Sequence, residues 1–456
     1  LARPEPPAGD RPLTPAERAG LGLLLVAVAG FGGLVLVRSA YQESRKTDLG
    51  VYLRAANAVR HGADIYDRDT VDDHGWHYCY PAALAVLLVP LADPMTYEYD
   101  PSGWPLRTAR RVLPDGSRGP PEQYLRYELS VVLWYVLSAA AVWRAADTFA
   151  RTALPDAAPG SRRWWYARTV PLYVCAAGVG YTLSRGQVNA VVVWTLAGMF
   201  AALARGRSVA GGAWLAGAVT LKVIPALLVL YPMLIGRWRA AIGFVAGLLV
   251  LLLVLPAAVW GWEKAVESNR RLVEVVLVPG AVDRGDQTRS RELTDATGTD
   301  SQSFLAVVHA WRNPDPATRP PKADGLSRAV HWLVGGAMLA ATVWVGLRRS
   351  PRTEPDRLIL LGVLSVVMLL LTPVSHMHYY LYALPLVAGL WLRGLADNPG
   401  AAFADRRTTA VLVGWGLLTG VPLLPGEVGA TLRDFGLGAA TTVGLWGYGL
   451  AALLRR

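Results

Sequence analysis

The sequence predicts an all-α, polytopic membrane protein: a bundle of about twelve transmembrane helices with further helices in its extracytoplasmic loops. Three observations carry that expectation. Hydrophobic residues make up 53% of the 456 positions and the mean hydropathy is +0.31. Apolar runs of membrane-spanning length recur along the chain, separated by short Arg-rich or Gly/Pro-rich breaks. The net charge of +11 is mostly arginine, and it punctuates these runs instead of gathering on one soluble segment. That distribution excludes a basic nucleic-acid-binding module, so nucleic acid is not an expected partner and membrane lipid is.

The chain opens on the Pro-rich stretch Leu1-Ala-Arg-Pro-Glu-Pro-Pro7, which reads as a disordered cytoplasmic tail to residue 18, ahead of a single transmembrane domain over 19–456. The first apolar run, about Leu21 to Val37, has no small-residue cleavage pattern after it and reads as a retained span. A long polar region, about 38–126, follows. Within it Tyr80–Leu91 is apolar but short and carries Pro near both ends, as a helix lying along the membrane face would. Further spans are expected near 127–146, 168–183, 187–204, 208–221, 223–236, 240–260, 328–347, 357–373, 378–393, 408–424 and 436–454. A second large loop covers about 261–327.

Lys and Arg in short loops mark the cytoplasmic side. If Tyr80–Leu91 does not cross and the N-terminus is cytoplasmic, Arg144 to Arg168, Arg205 and Arg207, Arg237 and Arg239, Arg348 to Arg357, and Arg406 and Arg407 all fall on that side. If the segment crosses, the whole pattern inverts and the rule fails. The non-crossing topology puts both large loops, the Arg185–Asn189 turn, Lys222 and the Ser375–His378 turn together on the extracytoplasmic face.

Those polar groups are the candidate site. Asp48 leads into Leu49–Gly62, where Val51, Ala55, Ala58 and Val59 recur at helical spacing opposite Arg54, Asn57 and His61. It reads as a general base, and the plainer reading is that Thr47 or Asp48 caps the helix. Lys222, one of four lysines in the chain, sits in an apolar run, where an ammonium costs roughly 2.5–3.5 kcal/mol. Such a charge faces a cavity or partner, or else snorkels from a span end. Arg185, Gln187 and Asn189, on a tight Gly turn, offer donors to phosphate and sugar hydroxyls, and could equally be an ordinary interhelical turn.

His376 and His378 end an apolar run beside Tyr379 and Tyr380. Two apart, they cannot share one helical face, and no Cys or carboxylate motif accompanies them, so zinc is a poor fit and phosphate or sugar binding a better one. The tyrosines alone would suit an interfacial belt. Asp64, Asp67, Asp69, Asp72 and Asp73 precede Trp76–Tyr80 and read as a solvated acidic run more readily than as a cation site. Cys79 and Cys175 have no metal-ligand spacing and leave one disulfide open. No metal and no cofactor is expected.

In order and spacing, Thr47-Asp48, Gly62-Ala-Asp-Ile-Tyr66, Tyr80-Pro81, Gly186-Gln-Val-Asn189, Leu221-Lys-Val-Ile-Pro225, Gln302-Ser303 and Pro373-Val-Ser-His376 resemble glycosyltransferase family 87. These are the polyprenol-phosphate-mannose-dependent mannosyltransferases of the GT-C superfamily. The resemblance implies an extracytoplasmic active site in a bacterial plasma membrane, a polyprenyl-phosphate sugar donor, a lipid or glycan acceptor, and Asp48 at the family's catalytic aspartate. It adds Tyr80 and Gln302 to the substrate-binding set of Arg185, Gln187, Asn189, Lys222, His376 and His378. The chain departs from the family's pattern where Ala82 follows Tyr80-Pro81 and Ser301 precedes Gln302. The reading from another class is a transporter or polyprenyl-lipid flippase, with Lys222 and the His376/His378 pair as an ion path. It should place charges mid-span and show paired broken helices, whereas here the polar groups gather at one face.

Overall fold

The computed structural model describes residues 9–42, 47–67, 76–94, 97–100, 105–112, 116–298, 301–349, 351–398, 401 and 403–455. Three acids of the expected acidic run, Asp69, Asp72 and Asp73, lie outside the described residues. The elements, in order, are α1 (Pro15–Val37), α2 (Asp48–Arg60), α3 (Ala82–Leu87), β1 (Tyr97–Asp100), β2 (Leu106–Val112), β3 (Arg118–Leu125), α4 (Tyr127–Ala153), α5 (Arg162–Val174), α6 (Ala176–Arg185), α7 (Asn189–Ala204) and α8 (Ser208–Leu221). Helices also cover Ala240–Leu249, Gly325–Arg348, Glu354–Leu371, Leu384–Asp397, Arg406–Gly420 and Leu437–Leu454.

α1 starts on a capping box: the Thr14 hydroxyl accepts from Glu17 N, the Glu17 carboxylate accepts from Thr14 N, and Pro15 takes the first turn, where its missing N–H costs nothing. Glu17 also binds Arg162 Nε at 2.8 Å, and the backbone N–H groups of Arg162 and Arg163 donate to the carbonyls of Arg11 and Gly9, both at 2.9 Å. The tail expected to be disordered to residue 18 is therefore docked from Gly9 onward, held by pairings between partners about 150 residues apart that no local pattern reveals.

Among the described residues five helices are long and apolar enough to cross a membrane, Pro15–Gln42, Tyr127–Ala153, Ala240–Trp260, Gly325–Arg348 and Leu437–Leu454, or six if Arg406–Leu423 and Glu427–Asp434, bent by 118°, count as one. The expected number was about twelve. Part of the difference lies in helix length: α7 has 16 residues and α8 has 14, roughly 24 and 21 Å at 1.5 Å per residue, so each needs its flanking residues to span a hydrocarbon core of about 30 Å. Hydropathy scores a buried core helix and a lipid-facing one alike. α7 is buried almost throughout, whereas α1, Ala240–Trp260 and Gly325–Arg348 turn Leu23, Leu25, Val245, Leu249, Leu333 and Leu347 outward, as lipid-facing helices do. The chain is an integral membrane protein.

The chain is predominantly helical, as expected, and the first large loop adds one small sheet. β1, β2 and β3 form an antiparallel three-stranded sheet in that order. Arg107, Arg110 and Arg111 in β2, and Pro120 and Pro121 in the edge strand β3, made this stretch read as polar loop; prolines are tolerated there because an edge strand has unpaired positions. α3 is six residues long, runs on into a 3₁₀ turn at Val89–Leu91, and has Ala82 to Val86 buried against protein. At roughly 9 Å it cannot cross.

The centre of the bundle is Glu354–Leu371, buried along nearly its whole length. Gly362 lets it close on Leu384–Asp397: a Cβ there would overlap the backbone of Leu386. Gly362→Ala should destabilise the protein by about 1–3 kcal/mol through overpacking against backbone that cannot yield. A fluorescence melt in detergent reads this, and an unchanged midpoint would show that the two helices separate freely.

Candidate active site

The site grows from two interruptions in otherwise apolar helices. α6 ends at Gly186, whose φ of +66° gives the left-handed cap that a side chain would strain. The chain then turns directly into α7. The Gly186 carbonyl accepts from Trp134 Nε1 at 2.8 Å, and α2 packs so tightly on the turn that a Cβ on Gly186 would lie 2.9 Å from Leu49 Cβ. The second interruption follows α8, where Lys222 is extended, at φ −158°, before the turn opened by Ile224-Pro225.

The two breaks meet. Lys222 is 5% exposed, and its Nζ donates to Asn189 Oδ1 at 2.9 Å and Gln187 Oε1 at 3.3 Å. Its ammonium lies 3.9 Å from the centroid of the Tyr379 ring and 5.7 Å from that of Tyr80, so two π faces share the charge. Asn189 is itself fixed by Tyr382 Oη, which donates to Oδ1 at 2.9 Å, and by its own Nδ2, which donates to the His378 carbonyl at 3.0 Å. Gln187 Oε1 also accepts from Tyr52 Oη at 3.1 Å, and Tyr52 meets Tyr80 edge-on at 4.9 Å.

Asp48 is the first residue of α2. Thr47, at the N-cap position, makes no side-chain cap hydrogen bond, and Asp48 faces the same space as Lys222. Burial raises the Asp48 carboxyl above the usual carboxylate range. The charges of Arg185 and Lys222, the Gln187 hydrogen bond and His376 pull the other way without cancelling it. A carboxylate so placed is a stronger base than an exposed one.

His376 is extended and precedes a 3₁₀ helix, Met377–Ala383, so the constraint of a shared α-helical face does not apply. His376 and His378 are 5.4 Å apart, ring to ring, and His376 stacks with Tyr379 at 12° between planes. Gly178 allows this turn to close on α6, where a Cβ would sit 2.6 Å from Leu381 N.

All of these walls enclose one cavity of about 650 Å³. Of the residues expected from sequence, it brings together Asp48, Tyr80, Arg185, Gln187, Lys222, His376 and His378. Asn189 stands behind it and positions Lys222. Gln302 is not in the cavity lining. Its Nε2 donates to the Arg433 carbonyl at 2.9 Å, its Oε1 accepts from Gly438 N at 3.1 Å, and its backbone N donates to the Ser375 carbonyl at 2.7 Å. With Ser303 Oγ on the Pro373 carbonyl at 2.6 Å, it is a bracket that sets the strand leading to His376. Tyr379 belongs to the cavity through its face on Lys222. Trp76, His77 and the second-loop residues Arg291, Glu292, Asp295 and Thr297 also line it; no spacing in the sequence connects them with Asp48. Both cysteines are free, and among the described residues no group of three or more His, Cys, Asp or Glu is placed to hold a metal ion.

Residues 78–373 match the model of glycosyltransferase family 87. The chain belongs to glycosyltransferase family 87. The matched span covers Tyr80, the Arg185–Asn189 turn and Lys222, and lies between Asp48 and His376. Membership decides for a transferase over a transporter. Among curated proteins, this family 87 chain is 24% identical over 444 residues to a polyprenol-phosphate-mannose-dependent alpha-(1-2)-phosphatidylinositol pentamannoside mannosyltransferase of Mycobacterium tuberculosis, covering 92% of this chain and 82% of the relative. Among solved structures it is similar to ArnT from Cupriavidus metallidurans bound to undecaprenyl phosphate, at 13% identity and a TM-score of 0.40, covering 95% of this chain and 78% of that one.

Proposed function

We propose that this membrane glycosyltransferase moves a sugar, mannose by analogy with its mycobacterial relative, from a polyprenyl phosphate to a hydroxyl of a lipid or glycan acceptor, within one GT-C-like transmembrane domain. The observation that carries the reading is the convergence of one carboxylate, Asp48, with Arg185, Lys222 and His376 on one cavity. The polyprenyl phosphate is already a good leaving group, so two tasks remain: removing a proton from the acceptor hydroxyl and stabilising the charge on the departing phosphate.

In this scheme the Asp48 carboxylate takes the hydroxyl proton as the acceptor oxygen bonds to the anomeric carbon. The bond from that carbon to the phosphate oxygen breaks, and its electron pair leaves with polyprenyl phosphate. Arg185 and Lys222, with the imidazole of His376 as donor, face that phosphate. Gln187 and Tyr80 complete the lining that meets the substrate, and His378 packs beside Tyr379 at 4.6 Å. A single displacement with one base inverts the anomeric centre.

The charge pattern supports an extracytoplasmic site. α7 runs from Asn189 at the cavity to Arg205, and α8 returns from Arg207 to Lys222, so these arginines stand one helix length, roughly 24 Å, from the site. Arg207 shares a surface hollow with Arg237 and Arg239, and basic short loops mark the cytoplasmic side. In a bacterial plasma membrane the cavity then opens outward.

The test is reconstitution. Purified protein in liposomes, given undecaprenyl-phosphate mannose and either octyl α-mannoside or a phosphatidylinositol mannoside, should release undecaprenyl phosphate and form a mannosylated product with inverted anomeric configuration. Neither product nor donor binding would remove the reading.

A further inference from the structure

The cavity has a second acidic side chain that the transfer step above does not use. Glu292, from the second large loop, reaches His77 in the first loop, 215 positions away in sequence. Its Oε1 accepts from His77 N at 2.8 Å and lies 3.0 Å from His77 Nδ1. Its other oxygen, Oε2, is buried and has no hydrogen-bond partner among the described residues. Both residues line the cavity, together with Trp76, Arg291, Asp295 and Thr297.

The chemistry of this wall differs from that around Lys222. The Asp295 carboxylate holds its own turn through one oxygen, Oδ1, which accepts from Thr297 N at 2.7 Å and Thr297 Oγ1 at 2.6 Å, and the Arg291 guanidinium lies 4.3 Å from the Trp76 ring centroid. A carboxylate accepts and cannot donate while ionised, so it repels a phosphate and suits a hydroxyl. Held at one oxygen by the backbone N–H and the ring Nδ1 of the same residue, Glu292 has a fixed orientation, and a buried carboxylate oxygen without a donor is a costly arrangement to keep. The chemistry of that oxygen suits an uncharged, O–H-rich partner.

We propose that Glu292, oriented by His77, is a specificity-determining residue that accepts hydrogen bonds from the ring hydroxyls of a sugar. This rests on the transferase reading above and adds the group that selects the sugar. Two sugars could supply those hydroxyls, the one being transferred and the one receiving it.

Glu292→Gln separates the proposed role from a structural one. The amide oxygen can still accept from His77, so the clasp between the loops survives, while the second oxygen becomes a donor. Glu292→Ala removes both. Full-length wild type, E292Q and E292A are compared in liposomes for affinity toward undecaprenyl-phosphate mannose and bare undecaprenyl phosphate, and for the KM of octyl α-mannoside. If Glu292 holds the donor sugar, E292Q should bind undecaprenyl-phosphate mannose about tenfold more weakly, with undecaprenyl phosphate unchanged. If it holds the acceptor sugar, donor affinity stays and the acceptor KM rises by a similar factor. E292Q within twofold of wild type on all three, with only E292A impaired, would reduce Glu292 to a loop clasp and overturn the proposal. An equal loss toward donor and bare phosphate would overturn it as well. A wild type that neither binds donor nor makes product defeats the transferase reading itself, a result distinct from an active wild type that E292Q matches.

Discussion

Asp48→Asn should lower transfer by at least a hundredfold, and by up to about ten-thousandfold, the range that a positioned general base contributes. The substitution keeps the shape of the side chain and its place at the start of α2, and removes only the capacity to take a proton. Its effect on folding has the opposite sign. Because burial raises the Asp48 carboxyl, the folded state holds this proton more tightly than the unfolded chain does. The stability linked to that proton is fully present below the unfolded value, about 3.9, and is lost as pH rises through the folded one. Asparagine resembles the protonated form, so D48N should melt at or above the wild-type temperature at neutral pH while being nearly inactive. The same shift sets the pH profile. Activity needs the carboxylate, so kcat/KM should rise with pH along an acid limb whose midpoint lies above the ordinary aspartate value, and D48N should lack that limb. Retained turnover in D48N, or an acid limb unchanged by it, would take Asp48 out of the role of base.

How much of this was legible in the sequence follows from how far each signal reaches. Helix positions were accessible because apolar periodicity is local, and the expected runs at 127–146, 208–221 and 436–454 agree to within one residue with, or sit inside, helices observed at Tyr127–Ala153, Ser208–Leu221 and Leu437–Leu454. The number of spans was not, because a run such as α7 is apolar for packing within the bundle, and hydropathy does not separate such a helix from a lipid-facing one. The site separates the same way. Lys222, Arg185 and Asp48 stand out because a charge beside an apolar run is costly and needs a reason. The distinction between Asn189, which orients Lys222, and Gln187, which reaches the cavity, depends on side chains two residues apart on one turn. Gln302 had the right motif and a different task. His77 and Glu292 had no local signal, since their pairing exists only once the two large loops meet.

Lys222 carries the second large effect. Lys222→Ala should reduce kcat/KM by about a hundred- to a thousandfold, the cost of removing one preorganised donor from a developing charge in a site shielded from water. The question is which part of the substrate feels the loss. A group that serves the phosphate contributes alike to undecaprenyl-phosphate mannose and to undecaprenyl phosphate, because both carry it. Removing Lys222 should therefore weaken both by the same factor, in contrast to E292Q. The variant also takes one of two donors from Asn189 Oδ1 and from Gln187 Oε1, which keep Tyr382 Oη and Tyr52 Oη, so a lower melting temperature is expected and does not by itself explain weak binding. Lys222→Arg separates the two effects. It restores the charge but brings a longer planar head into a space fitted to an ammonium between Tyr80 and Tyr379, and should recover phosphate affinity more fully than turnover. If Lys222→Ala leaves the affinity for undecaprenyl phosphate intact while turnover collapses, the ammonium acts on the transferring sugar or on Asp48, and the phosphate must be held by Arg185 and His376 alone.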